Sequence, residues 1–205
     1  MSDQDTDTDT DTDLVSPPLS EVEVRRRMPA LRYIDDKKIE AEVIHLTKFA
    51  PPYFWTRKGA TSGYHNAHPH GLWAHTLKLA PVIDRLADSW VEQGHIREDD
   101  RELAHAAAIL HDQLKAGENG GDTESDHDLL MGERIRTHSD LPRSVARAVE
   151  SHMGAWYEGP KPLPGSLEDL VHTADMCAST DALPIPIPKP VPEELEEYVQ
   201  GVEVK

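Results

Sequence analysis

Apolar residues recur at helical spacing through the middle of this chain, and nowhere do they alternate convincingly as a half-buried strand requires. The longest pattern opens at Gly71-Leu72. Leu72, His75, Leu79, Val82, Ile83, Leu86 and Trp90 form one stripe, which Pro81 is expected to kink or split. Leu103, Ala107, Leu110 and Leu114 mark the inward face of a helix over residues 98–114. Other helices are predicted over 36–48, closed by Pro51-Pro52, and over 125–138. A further one runs from near Pro142, a favourable first helical residue, to His152-Met153-Gly154. The last spans 166–179, where Ser166 and Asp169 suggest a capping box. Residues 53–70 read as a loop carrying aromatics, Gly63, His65, His68 and His70. The pattern predicts an all-α domain over about residues 30–182, without internal repeats.

The two ends read differently. Asp and Thr alternate from Asp5 to Asp13 with nothing apolar to bury, so residues 1–29 are expected to form a disordered acidic tail. Residues 183–205 hold the proline run Pro184 to Pro192, an extended polyproline segment expected to act as a stiff linker, and then a short amphipathic turn over 193–200. Either tail offers a surface for a protein partner.

Charge narrows the choice of partners. The 205 residues include 38 acidic and 21 basic ones, a formal charge of −17 at pH 7. Such a surface repels long nucleic acids and anionic membranes at low salt. It resembles the acidic surfaces of proteins from very salty cytoplasms, where charge is screened almost at contact distance. A single cysteine, Cys177, leaves no internal disulfide and suits a reducing compartment; its place on an apolar face suggests packing. With neither a signal-peptide pattern nor a run approaching the roughly 20 apolar residues of a membrane span, a soluble cytoplasmic protein is expected.

Candidate chemistry lies where polar residues interrupt the apolar stripes. His75 falls between Leu72 and Leu79, and His111 between Ala107 and Leu114, with Asp112 beside it. His127 aligns with Met131 and Ile135, His152 with Val145 and Val149, and Asp175 with Val171 and Ala178. One inward histidine is ordinarily a core residue with a hydrogen-bond partner. Four histidines and two aspartates from five helices would each need their own. One or two metal ions satisfy them together, and an N/O ligand set suits Mn, Fe, Ni or Zn. His65, His68 and His70 are a short tract that binds metal at most adventitiously.

His75, His111-Asp112 and Asp175 together resemble the H…HD…D signature of the HD-domain phosphohydrolase superfamily. Tyr64-His65-Asn66-Ala67-His68-Pro69-His70-Gly71-Leu72-Trp73-Ala74-His75-Thr76 is similar to the HHA-x-x-GGLLEHT segment of one branch. That branch holds bacterial OB-fold-plus-HD 3′→5′ exoribonucleases and HD domains of conjugative relaxases. Ser151-His152-Met153-Gly154 resembles its SHHG segment, and the likeness covers about residues 50–180. It implies a single HD-domain helical bundle in which His75, His111, Asp112 and Asp175 bind one ion. Asp112 would bridge to a second ion held by His127 and His152. It further implies a catalytic role for Asp112 and for Lys115, which matches the lysine of the HDxGK string and would meet the scissile phosphate, and a substrate contact for His65. Met153, Asn66 and Leu114 depart from the branch pattern, and the first removes a ligand expected at the second ion.

The expected function is metal-dependent hydrolysis of a phosphoester in a nucleotide or a short single-stranded nucleic-acid end, with Lys115, Arg143 and Arg147 as substrate-binding cations. Two alternatives stay open: a 3′→5′ exonuclease acting with a partner, and an HD module that binds nucleotide or protein without catalysis.

Overall fold

The computed structural model describes residues 17–60, 66–156, 159–180 and 183–199. The Asp/Thr run and His65 lie outside them. Among the described residues every regular element is helical, as the periodicity predicts. The α-helices are α1 (Glu21–Arg27), α2 (Lys37–Thr47), α3 (Pro52–Thr56), α4 (Gly71–Glu92), α5 (Asp100–Leu110), α6 (His127–His138), α7 (Arg143–Ser151), α8 (Leu167–Ala178) and α9 (Glu196–Val199).

The bundle is organised around α5, which packs on α2, α4, α7 and α8. Ala104, Ala106, Ala107, Ala108, Ile109 and Leu110 are all buried, so beyond its charged first turn the helix is enclosed on every side, the mark of a central helix. Its alanines let four neighbours approach. The helix is shorter than the stripe suggested. It ends at Leu110, and the chain continues in tight turns closed by Gln113 N–H to Leu110 O, Lys115 N–H to Asp112 O and Gly117 N–H to Leu114 O. Residues three apart eclipse one another in such turns, which stacks Lys115 over Asp112.

Pro81 does not split α4, which runs unbroken from Gly71 to Glu92. The proline removes one backbone hydrogen bond, while Leu77, Leu79, Ala80 and Ile83 on either side are buried and hold the helix in place. Its first turn fits only a glycine: a Cβ on Gly71 would lie 1.9 Å from the Asn66 carbonyl oxygen. The start of α8 differs in detail from a capping box. Ser166 Oγ accepts from Glu168 N–H, and the Asp169 carboxylate accepts from Gly165 N–H.

Two boundaries are corrected. Residues 20–29 are not part of a structureless tail: α1 is capped by Ser20 Oγ accepting from Glu23 N–H, and it buries Val24 completely, with Met28 buried just beyond it. Nor is the proline-rich segment a free linker. It lies over the amino-terminal elements with Ile187 and Leu195 in the core. Glu194 takes two hydrogen bonds from Arg26, at 2.7 and 3.0 Å, and Tyr198 stacks on His68 at 4.2 Å. No helix among the described residues is long and apolar enough to cross a membrane.

Candidate metal centre

Four helix ends converge on the carboxylate of Asp112. His75 comes from the second turn of α4, and His111 caps α5. His127 opens α6, His152 caps α7, and Asp175 lies on the inner face of α8. All six side chains are buried. Asp112 Oδ1 lies 3.2 Å from His127 Nε2 and 3.6 Å from His152 Nε2, while Oδ2 lies 3.5 Å from His111 Nε2 and 2.6 Å from Lys115 Nζ. His75 Nε2 donates to Asp175 Oδ1 at 2.9 Å. The imidazoles form a chain, with ring centres 5.4 Å apart for His75–His111, 4.9 Å for His111–His152 and 5.4 Å for His127–His152.

The far nitrogens explain why the near ones point inward. Nδ1–H of His111 donates to Ala108 O at 2.7 Å, that of His127 to Glu124 O at 2.9 Å, and that of His152 to Val149 O at 2.7 Å. Each bond ties a ring to its own turn of chain and leaves Nε2 unprotonated, the tautomer a metal ion needs. His111 Nε2, His127 Nε2 and Asp112 Oδ1 are fully buried and have no hydrogen-bond partner. Leaving such atoms unsatisfied costs about 1–3 kcal/mol each. The donor atoms of His75, His111 and Asp112 lie within 4.8 Å of one another, and so do those of Asp112, His127 and His152. That spread is about twice a metal–ligand bond of roughly 2.0–2.2 Å, so both groups fit an ion. Asp175 joins the first group through His75.

Electrostatics keep the centre charged. Burial works against the Asp112 carboxylate, but the Lys115 charge and the nearby histidines outweigh it and hold its pKa well below the ordinary value. Burial likewise opposes the Lys115 ammonium, and Asp112 more than compensates, raising its pKa. Asp175 is buried too, and its hydrogen bond from His75 brings it well below the carboxylate range. His127 is pushed up, its desolvation outweighed by the Asp112 carboxylate beside it.

Arg143 and Arg147 are not brought to this centre. Nine residues before His152, Arg143 lies roughly 13 Å away along α7 and on the opposite face; it lines a cleft with Arg136, Ser139 and Asp140. Arg147 leaves α7 about 140° around from His152 and pairs with Glu168 at 2.8 Å. Among the described residues His68 and His70 join no group of three or more metal-type donors; their Nδ1–H groups donate to Pro69 O and Trp55 O. Cys177 is half-buried at the edge of the buried face of α8, two turns after Leu170 and one after Ala174, in keeping with a packing role.

Two contributors escape a reading of spacing alone. The Tyr53 hydroxyl accepts from Ala116 N–H at 2.9 Å and donates to Gly117 O at 2.8 Å, which anchors the turn that carries Lys115; burial pushes its pKa up to about 12. His172 donates from Nδ1 to His152 O at 2.6 Å. An aromatic residue following Pro51-Pro52 and a histidine one turn before Asp175 are the only signals the sequence offers for them.

Comparison with curated proteins and with solved structures gives no match. A family model described as HD domain matches residues 72–179, more than half of the 205-residue chain, and takes in all six converging side chains. On that match, and with the histidine–aspartate centre it encloses, the chain belongs to the HD-domain family.

Proposed function

We propose that this protein is a metal-dependent phosphohydrolase that cleaves a phosphoester of a nucleotide or of a short single-stranded nucleic-acid end. One observation carries the reading: the buried Asp112 carboxylate stands between two groups of nitrogen donors, each compact enough for an ion. His75, His111, Asp112 and Asp175 would hold the first ion, and Asp112, His127 and His152 a second, with Mn, Fe, Ni or Zn matching these donors. When bound, such ions supply Lewis-acid polarisation of a phosphoryl group and activation of water.

The chain's own residues supply the rest. Lys115 gives one of its three donors to Asp112 and keeps two for phosphoryl oxygens; its side chain is 22% exposed, at the edge of the buried centre. The Tyr53 hydroxyl holds the backbone of that turn, so the ammonium meets substrate at a fixed position. The α5 and α7 helices exclude water from the imidazoles with Ala107, Ala108, Val145 and Val149. A net charge of −17 favours small substrates over long polyanions, because 38 acidic residues against 21 basic ones repel a long phosphate backbone.

The test is a hydrolysis panel in high-salt buffer with each of the four metals: nucleoside mono-, di- and triphosphates, a generic phosphodiester and end-labelled oligonucleotides. Turnover of at least one small substrate, at a rate indifferent to chain length, is expected. Progressive shortening of oligonucleotides from one end would make the protein an exonuclease instead. Binding without turnover under any metal would make it a non-catalytic module.

A further inference from the structure

We infer that His172 is a positioning residue for the second ion, acting through the backbone of His152; the inference rests on the two-ion reading above. Helix α7 ends at Ser151 with His152 as its cap, and carbonyls at a helix carboxyl terminus have no partner within their own helix. Here they are claimed from outside. His172 Nδ1–H donates to His152 O at 2.6 Å, and Lys161 Nζ donates to Gly154 O at 2.8 Å. The imidazole of His172 lies directly against Gly154: a Cβ at that position would come within 2.3 Å of the ring, and the residue has φ +57°. Only glycine admits both the left-handed backbone and the ring.

His152 is thereby fixed from two directions. Its own Nδ1–H is tied to Val149 O, which sets the ring, and its carbonyl is tied to α8, which sets the backbone. Both constraints aim Nε2 at Asp112 Oδ1, 3.6 Å away. His172 and Asp175 lie one turn apart on α8, so this helix steadies both halves of the centre, Asp175 through His75 and His172 through His152. Met153 makes the role more pressing. With methionine rather than an imidazole beside His152, the nitrogen donors of the second group are His127 and His152 alone, and its affinity depends on the placement of each.

The experiment separates the two nitrogens of His172. In His172→Asn the amide nitrogen is as many bonds from Cα as Nδ1, so the bond to His152 O is kept. His172→Gln puts its amide where Nε2 was, and His172→Ala removes both. Manganese titration followed by electron paramagnetic resonance reads both ions, and melting of the metal-free protein reads the fold. In the wild type two ions are expected to bind. His172→Ala and His172→Gln should weaken the second by about 10–100-fold, the usual effect of losing a residue that orients a ligand. The first ion and the metal-free melting temperature should stay unchanged, and His172→Asn should restore the second ion.

Rescue by Gln instead of Asn would overturn the inference, because the working atom would be Nε2. Equal loss of both ions together with the melting temperature would reduce His172 to a fold contact. Unchanged affinity in all three variants would leave it no role. If the wild type takes up only one ion, the second site itself fails and the positioning role falls with it.

Discussion

Acid should destabilise this fold through one buried histidine outside the metal centre. His105, on α5, is 1% exposed and stacks on Tyr33 with ring centres 4.7 Å apart and planes 15° from parallel. Neither of its ring nitrogens has a hydrogen-bond partner. Burial, reinforced by the nearby Arg101 charge, depresses its pKa from 6.5 to about 3. The fold therefore holds His105 neutral, while the unfolded chain takes up a proton below about pH 6.5. This contribution to stability is intact above that pH and is lost as pH falls towards 3. Between those limits the loss is about 1.4 kcal/mol per pH unit, or about 2 kcal/mol near pH 5.

Substituting His105→Leu removes the titration. It forfeits a stack worth about 0.5–1.5 kcal/mol, and it relieves two unpaired ring nitrogens at about 1–3 kcal/mol each. Near pH 8 the variant should match or exceed the wild type. Urea denaturation of the metal-free proteins at fixed high salt, in steps from pH 8 to pH 5, gives the comparison. Other titrating groups are common to both proteins and cancel in the difference. The reasoning is refuted if the two stability curves stay parallel down to pH 5.

Two shorter predictions concern the site and the carboxyl-terminal segment. Lys115→Met should leave the metal content unchanged and lower kcat/KM by about 10²–10³-fold, as expected for loss of one charge aimed at the transition state; elemental analysis beside steady-state kinetics checks both halves. Deleting residues 183–205 exposes the core surface under Ile187 and Leu195 and removes the Arg26–Glu194 pair. It should cost about 3–6 kcal/mol at about 1.5–3 kcal/mol per buried aliphatic side chain, and a loss below about 1 kcal/mol in urea would contradict the packing described.

What the sequence could disclose depended on whether a feature was periodic or tertiary. Helices α4 to α8 were legible because each presents a stripe to a common interior. His75, His111, His127, His152 and Asp175 were legible because each interrupts such a stripe, and Asp112 because it stands beside His111. Helix α1 was harder to see: its seven residues are mostly charged, and only Ser20 with Glu23 three places later signalled its cap. The burial of Ile187 and Leu195 was invisible, since alternating prolines specify an extended chain without saying what it lies on. Arg143 and Arg147 carry the right charge, but their angles around α7 direct them elsewhere. His172 and Tyr53 act on backbone atoms of other segments, and such partners have no pattern in the primary structure.

The account stands or falls on metal held at Asp112. Protein purified without added metal and dialysed should be analysed by inductively coupled plasma mass spectrometry beside Asp112→Asn, with circular dichroism confirming that both are folded. The wild type is expected to retain Mn, Fe, Ni or Zn and the variant to lose it, since Asp112 is the one carboxylate shared by both donor groups. A folded Asp112→Asn protein that keeps the full metal complement of the wild type would contradict it.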